Sequence, residues 1–205
     1  DVEEILVTAN RTEQSINDVS QAVQALSGDD LQDLQITDFE QMIDLIPGAV
    51  QNSSISQGSN VYSIRGVASA ETDGDATIGY YLDNFAFSLP GRPYAPVTDI
   101  YDTERVEVLR GPSGTLYGLG SLGGTIKVIT KDPVIGEFEG SFKATLADID
   151  DGDSSHTGDL MLNIPLSENA ALRGVLSIKD IGGWAEIIPS NQTNGNPYDG
   201  ITGRL

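Results

Sequence analysis

Gly118, Gly120 and Gly123 stand in the spacing G-x-G-x-x-G, directly after a β-rich run. In that spacing a tight turn can bring backbone N–H groups up to a pyrophosphate, provided that a helix N-terminus follows. Here Thr125-Ile126-Lys127-Val128-Ile129-Thr130 comes next, a strand-like run, and no Gly-Lys-Ser/Thr supplies a phosphate loop. The match predicts no nucleotide site. The lone histidine, His156, sits in the acidic stretch Asp148 to Asp159. Oxygen-rich loops can hold calcium, but Gly152 falls at the fifth place and no glutamate closes the stretch, so it reads as a long solvated loop. One histidine and no cysteine leave no zinc site, no Ser-His or Cys-His centre and no thiol redox role. The many carboxylates have no acid–base context. No catalytic residue, metal or cofactor is expected, and the chain reads as a non-enzyme.

Two arginines have a different chemistry. Arg65 and Arg110 each precede a glycine at the end of a strand-like run. A buried guanidinium there needs carboxylate partners. The alternatives are a local ion pair, such as Arg105 with Glu104 or Glu107, or a solvated side chain. Charge narrows the partners further. Thirty-one acidic residues against 11 basic ones give a net charge of -20, which excludes a phosphate-backbone partner and disfavours an anionic lipid face. The acidity keeps a solvent-washed protein soluble or gathers cations.

Elements able to position these residues follow from pattern. The short apolar run Glu4-Ile5-Leu6-Val7-Thr8-Ala9, followed by polar sequence to Asn17, is suited to adding as a strand to another protein's sheet edge or to pairing within its own domain. Val19 to Leu26 reads as a strand, and Ser27-Gly28-Asp29-Asp30 starts a short helix carrying Leu31 and Leu34. Thr37 and Glu40 form a capping box, with Phe39, Met42, Ile43 and Ile46 as a helical apolar stripe stopped by Pro47-Gly48. Gln51 to Asn60 and Ser69 to Asp75 read as loops, and Val61 to Val67 as a strand interrupted at Arg65-Gly66. Ile78 to Leu82 and Phe85 to Phe87 pair about Asp83-Asn84. Ser88 to Pro96 is a stiff Pro-rich loop, and Arg105 to Leu109 and Thr125 to Thr130 are strands. The sum is a compact α+β domain ending near Pro133.

Beyond Pro133 the texture changes. Phe138 to Leu146, Leu160 to Leu166 and Leu172 to Ile178 alternate apolar and polar residues, joined by a tight turn at Ser167-Glu168-Asn169 and by long connections at Asp148 to Gly158 and Ile181 to Tyr198. Such ~10-residue alternating segments fit lipid-out, lumen-in strands of a transmembrane barrel or a water-soluble sheet with one buried face. At most four strands precede Leu205, whereas a single-chain barrel needs about eight or more. A piece of a longer chain, or one share of a multi-chain barrel, is therefore expected. No apolar run reaches the ~18 residues of a membrane-spanning helix, and no signal peptide precedes Asp1, so any export signal has been removed.

Tyr101-Asp102-Thr103-Glu104-Arg105-Val106-Glu107-Val108-Leu109-Arg110-Gly111-Pro112, running on to Gly123-Gly124-Thr125-Ile126-Lys127-Val128-Ile129-Thr130-Lys131-Asp132-Pro133, closely resembles the plug signature of TonB-dependent outer-membrane receptors. So do Ile46-Pro47-Gly48, Ile64-Arg65-Gly66-Val67 and Gly79-Tyr80-Tyr81-Leu82-Asp83-Asn84, in the same order and spacing. One departure is Leu119-Gly120-Ser121-Leu122, where relatives carry a more polar or alanine-rich segment. The resemblance implies a TonB box at Glu4, Ile5, Leu6, Val7, Thr8 and Ala9 with a flexible lead (residues 1–17), a plug domain (18–133: a small mixed β-sheet with short helices) and the first antiparallel strands of a large transmembrane β-barrel (134–205). It further implies a 22-stranded barrel around the plug, ligand-gated and TonB-energised uptake of a scarce nutrient across the bacterial outer membrane, and ferric siderophore as the default cargo. TonB, the nutrient and outer-membrane lipid are the implied partners, with no nucleic acid. Arg65 and Arg110 are implied to lock plug to barrel wall. Ser56, Gln57, Ser88, Arg92 and Tyr94 are the first places to look for ligand contact on plug loops. The rival is a soluble acidic ligand-binding domain with no membrane barrel.

Overall fold

The structure, a computed structural model, describes residues 5–205 apart from 37–38, 55–59, 70–73, 88–90, 92–94, 96–98, 119, 149, 151, 184, 188–191 and 196. The chain divides into two compact units, Asp1–Thr130 and Lys131–Leu205. Residues 5–17 fall within the first of these.

The first unit runs β1 (Leu6–Val7), β2 (Gln14–Ser15), β3 (Ala22–Ser27), α1 (Gly28–Asp33), α2 (Phe39–Asp44), β4 (Ala49–Ser54), β5 (Asn60–Ile64), β6 (Val67–Ala68), β7 (Ile78–Leu82), β8 (Phe85–Ala86), β9 (Thr103–Arg110), α3 (Gly114–Tyr117) and β10 (Gly124–Thr130). Its centre is a five-stranded sheet in the order β3-β9-β10-β7-β8, parallel only between β10 and β7. Successive side chains on a strand point to opposite faces, and here both faces are covered. Val106, Val108, Ile126, Val128, Ile78 and Tyr80 join Leu31 and the α2 stripe Phe39, Met42 and Ile43 in one core. On the other face Leu109 packs with Val7, Ala9 and Tyr117, flanked by Val23 and Tyr81. Phe39 sits between Tyr62 and Tyr80, with ring centroids 5.6 and 6.2 Å away in tilted and edge-on arrangements.

Local chemistry explains the element ends. Ser27 caps α1 reciprocally: its hydroxyl accepts from Asp30 N at 3.0 Å, and the Asp30 carboxylate accepts from Ser27 N at 3.3 Å. Arg65 and Gly66, at φ +54° and +77°, form the two-residue turn of the β5–β6 hairpin, a geometry that needs positive φ at both positions. Gly124 lets β10 lie against β9, since a Cβ there would come within 2.5 Å of the Leu109 carbonyl.

Several expectations are corrected. The strand expected from Val19 begins at Ala22, after a 3-10 turn at Ile16–Asp18. The helix expected to carry Leu31 and Leu34 ends at Asp33, with Leu34 as its exposed C-cap. The Thr37 capping box has its first residue outside the described residues. Gln51 to Ser54 is not loop but part of β4, since main-chain pairing with β5 outweighs the polar side chains. Residues 114–117, for which the sequence suggested no element, form the one-turn helix α3.

The second unit carries β11 (Glu139–Ala147), β12 (Ser155–Ser167), β13 (Ala170–Ile181), β14 (Ala185–Ile187), β15 (Gln192–Gly195) and β16 (Tyr198–Arg204). An antiparallel sheet runs β11-β12-β13-β16, and β14 and β15 form a separate hairpin. The loop expected from Asp148 to Gly158 is shorter, because Ser155 to Gly158 already pair with Ala144 to Ala147 and place His156 on β12. The polarity of this sheet is inverted. Phe138, Phe142, Leu146, Leu166 and Ile201 are exposed, while Ser155, Asp159, Asn163, Arg173 and Ser177 are buried. Asn163 is fully buried and satisfied by the linker, donating to the Val134 and Glu137 carbonyls at 2.8 Å and accepting from Val134 N at 3.0 Å. Arg173 donates to Glu139 across two strands at 3.0 Å. No helix among the described residues is long and apolar enough to cross a membrane.

Candidate functional site

The most elaborate polar structure of the first unit lies where the N-terminal segment crosses the second face of the sheet. Alternation along β9 and β10 puts Glu107 and Lys127 directly opposite each other on that face. Glu107 is 0 % and Lys127 6 % exposed. Burying such groups without partners would cost several kcal/mol, on the order of 3–5 for a broken pair, so their surroundings must satisfy them. Arg105 donates to Glu107 Oε1 at 2.9 Å and also pairs with Glu104. The remaining partners come from residue 8. Thr8 N donates to Glu107 Oε1 at 2.8 Å, the Thr8 hydroxyl lies 3.2 and 3.1 Å from the two carboxylate oxygens, and Lys127 Nζ donates to that hydroxyl at 2.7 Å.

Tyr117, at the end of α3, closes the far side. Its hydroxyl donates to the carbonyls of Thr8 at 3.1 Å and Ala9 at 3.0 Å. The ring stands edge-on to Tyr81 at 5.2 Å, and the Arg11 guanidinium lies 5.4 Å above it. Arg11 Nε donates in turn to the Leu116 carbonyl at 2.7 Å. Burial pushes the Tyr117 phenol up to about 12, with Glu107 adding to the effect and Arg11 opposing it. Burial also lowers the Lys127 ammonium below its usual value, against the attraction of Glu107.

The expected residues fall as follows. Glu4 lies outside the described residues. Ile5 and Leu6 are about half exposed, whereas Val7 and Ala9 are fully buried. Leu6 and Val7 pair with Ser15 and Gln14, and Ile16 N donates to the Ile5 carbonyl at 3.0 Å. Of the two alternatives for this segment, the one adopted here is pairing within its own domain. Arg65 is exposed at the β5–β6 turn. Arg110 is half-buried at the end of β9, and its Nε is buried with no hydrogen-bond partner among the described residues. The structure does not bring either arginine to a carboxylate among those residues. Ser56, Gln57, Ser88, Arg92 and Tyr94 lie outside the described residues, as do 149 and 151 of the acidic stretch. Sequence reasoning missed Glu107, Lys127 and Tyr117 as partners of the N-terminal segment. The available signal was a charged residue at an alternate position in each of two Val/Ile-rich runs: such a face must be covered by something polar.

Three comparisons bear on this arrangement. The family model described as TonB-dependent Receptor Plug Domain matches residues 15–125. The pesticin receptor of Yersinia pestis is 31% identical over 132 residues, covering 63% of this chain and 19% of that protein. The metal-pseudopaline receptor CntO of Pseudomonas aeruginosa is 31% identical over 181 residues, covering 87% of this chain and 23% of its own length. Among solved structures, the ferripyoverdine receptor of the Pseudomonas aeruginosa outer membrane, bound to ferripyoverdine, superposes with a TM-score of 0.68 at 25% identity, over 85% of this chain and 22% of that one. The chain thus spans about a fifth of the length of the relatives it matches.

Proposed function

This chain belongs to the TonB-dependent receptor family, and on that premise we propose that it serves ligand-gated, TonB-energised uptake of a scarce metal chelate across the bacterial outer membrane. The family's members are outer-membrane receptors and transporters rather than enzymes, and the chain shares their plug domain and first barrel strands. The observation that carries the proposal is the inverted sheet joined directly to the plug. Phe142 and Leu146 are 72 % and 78 % exposed while Asn163 and Ser177 are 0 % and 1 %, a distribution that water penalises and lipid favours. It speaks against the soluble acidic binding domain, whose sheet would bury its apolar face.

In this reading residues 4–9 are the TonB box. Ligand binding on the outer side frees them, and TonB captures them as an added strand through main-chain hydrogen bonds. Arg65 and Arg110 reach carboxylates on the barrel wall, and the unpartnered Arg110 Nε supports that assignment. Ser56, Gln57, Ser88, Arg92 and Tyr94 contribute to the ligand surface. Ferric siderophore is the proposed cargo, supported by relatives named for ferripyoverdine and metal-pseudopaline. Relatives named for vitamin B12 make cobalamin the comparison ligand.

The test is uptake by cells carrying the complete receptor, with iron-55 loaded on a panel of siderophores and with labelled cobalamin. Energy-dependent accumulation of one ferric chelate, lost on deletion of residues 4–9 while surface binding persists, is the expected outcome. Undiminished uptake by the deletion would remove the TonB-box assignment, and accumulation of cobalamin alone would replace the cargo.

A further inference from the structure

Thr8 has its outward main-chain groups occupied by side chains. Ile16 N donates to the Ile5 carbonyl, and Leu6 and Val7 stand opposite Ser15 and Gln14. In an antiparallel pair such groups alternate. The N–H and C=O of Ile5 and Val7 therefore face β2, and those of Leu6 and Thr8 face the other edge. That other edge is the one an incoming strand would use.

At Thr8 the edge is closed. Its N–H donates to Glu107 Oε1 at 2.8 Å, and its carbonyl accepts from the Tyr117 hydroxyl at 3.1 Å and from Arg11 N at 2.8 Å. A carboxylate oxygen and a phenol thus occupy the places of the acceptor and donor of a neighbouring strand. Neither host is free to drift. Glu107 is fully buried on β9 and held by Arg105. Tyr117 is buried, packed against Tyr81, and receives the Tyr81 hydroxyl on its own carbonyl at 2.5 Å. Two residues earlier the situation differs: Ile5 and Leu6 are 47 % and 41 % exposed.

We propose that Glu107 and Tyr117 are a side-chain stand-in for a β-strand, which keeps the outer edge of the coupling segment closed at Thr8 and regulates strand addition by TonB. Pairing can start at Ile5 and Leu6 but passes Thr8 only when this pair lets go. The proposal rests on the reading of residues 4–9 as the coupling segment.

The test titrates the labelled periplasmic C-terminal domain of TonB against the intact, detergent-solubilised receptor without transport ligand. Tyr117→Phe removes the donor and keeps the ring, and is expected to tighten TonB binding about tenfold, the scale of one lost neutral hydrogen bond. Ser27→Ala weakens the same unit at the α1 cap, where the Ser27 hydroxyl bonds Asp30 rather than Thr8, Glu107 or Tyr117, and is expected to bind as the parent does. Equal tightening in both variants would mean general loosening and overturn the proposal, as would a Tyr117→Phe affinity equal to the parent's. Deletion of residues 4–9 separates the two layers. Loss of binding on deletion with no effect of Tyr117→Phe sinks the closed edge alone, whereas binding that survives deletion sinks the coupling segment as well. A measurement on the unaltered receptor guards against misfolded variants: the Thr8 amide should exchange with solvent about a hundredfold more slowly than that of Leu6, and equal rates would overturn the closed edge.

Discussion

Arg110 ends β9 with a buried Nε that has no hydrogen-bond partner among the described residues, and a buried donor left so costs about 1–3 kcal/mol. If a carboxylate of the barrel wall completes it, Arg110→Ala in the complete receptor removes a charged contact worth about 3 kcal/mol. Cells carrying the variant should then become more sensitive to large antibiotics that the outer membrane excludes; unchanged sensitivity would argue for a purely local role. Arg65→Ala tests the same idea at an exposed turn residue, where the null outcome is a solvated side chain. Tyr117 offers a spectroscopic check. Its phenol is pushed from 10.0 up to about 12, so its contribution to docking of the N-terminal segment is fully present below pH 10 and lost as pH rises through about 12. Lys127 has a lowered value in the fold, so its contribution runs the other way, present above its ordinary value and lost as pH falls through the lowered one. The difference in phenolate absorbance between the parent and Tyr117→Phe should show a single late ionisation near pH 12, and a transition near 10 would mean that the phenol is not buried beside Glu107 as described.

Elements here depend on a few close approaches. A Cβ at residue 124 would meet the Leu109 carbonyl at 2.5 Å, backbone that cannot swing aside, so Gly124→Ala should destabilise the β9–β10 pairing by about 1–3 kcal/mol. Ser27→Ala, which removes one half of the α1 capping box, should cost about 1 kcal/mol. Amide exchange at Val108 and Ile126 is the measurement, with a larger loss of protection expected for the glycine variant. These elements differ in how far they could be read in advance. The α2 stripe and the β7–β8 hairpin were legible because short-range periodicity and turn chemistry decide them, whereas at Arg65-Gly66 only an interruption was legible and not the reversal into β6. β4 was not, because Gln51, Asn52 and Ser53 are strand residues only through pairing with β5, a tertiary cause that no local pattern carries. The N-terminal segment was legible as an extended apolar run. Its berth was not, because Glu107 and Lys127 are distant in sequence from Thr8 and meet it only after the sheet has formed.

At the level of the molecule, the second unit makes sense only with its oily side turned to something other than water. Phe142→Arg places a charge on that face and should lower the stability of the complete receptor in bilayers by up to about 2–4 kcal/mol at mid-membrane depth, read from unfolding in lipid vesicles, whereas Lys143→Ala on the opposite face should leave it nearly unchanged. Equal effects at both positions would contradict the assignment of faces. Under the proposed coupling role of residues 4–9, the first unit faces a separate problem, that of surrendering its first residues without damage. The ground vacated by Thr8 is a floor of Glu107 and Lys127, with Arg105 on the carboxylate. Ions stripped of water are uncomfortable under a lid and recover their hydration when it lifts, which offsets part of the lost hydrogen bonding. Departure of the segment wets that charged floor, but it also bares Leu109, Tyr117 and Tyr81, which Val7 and Ala9 had covered, and that oily half of the vacated berth draws the segment back once it is let go.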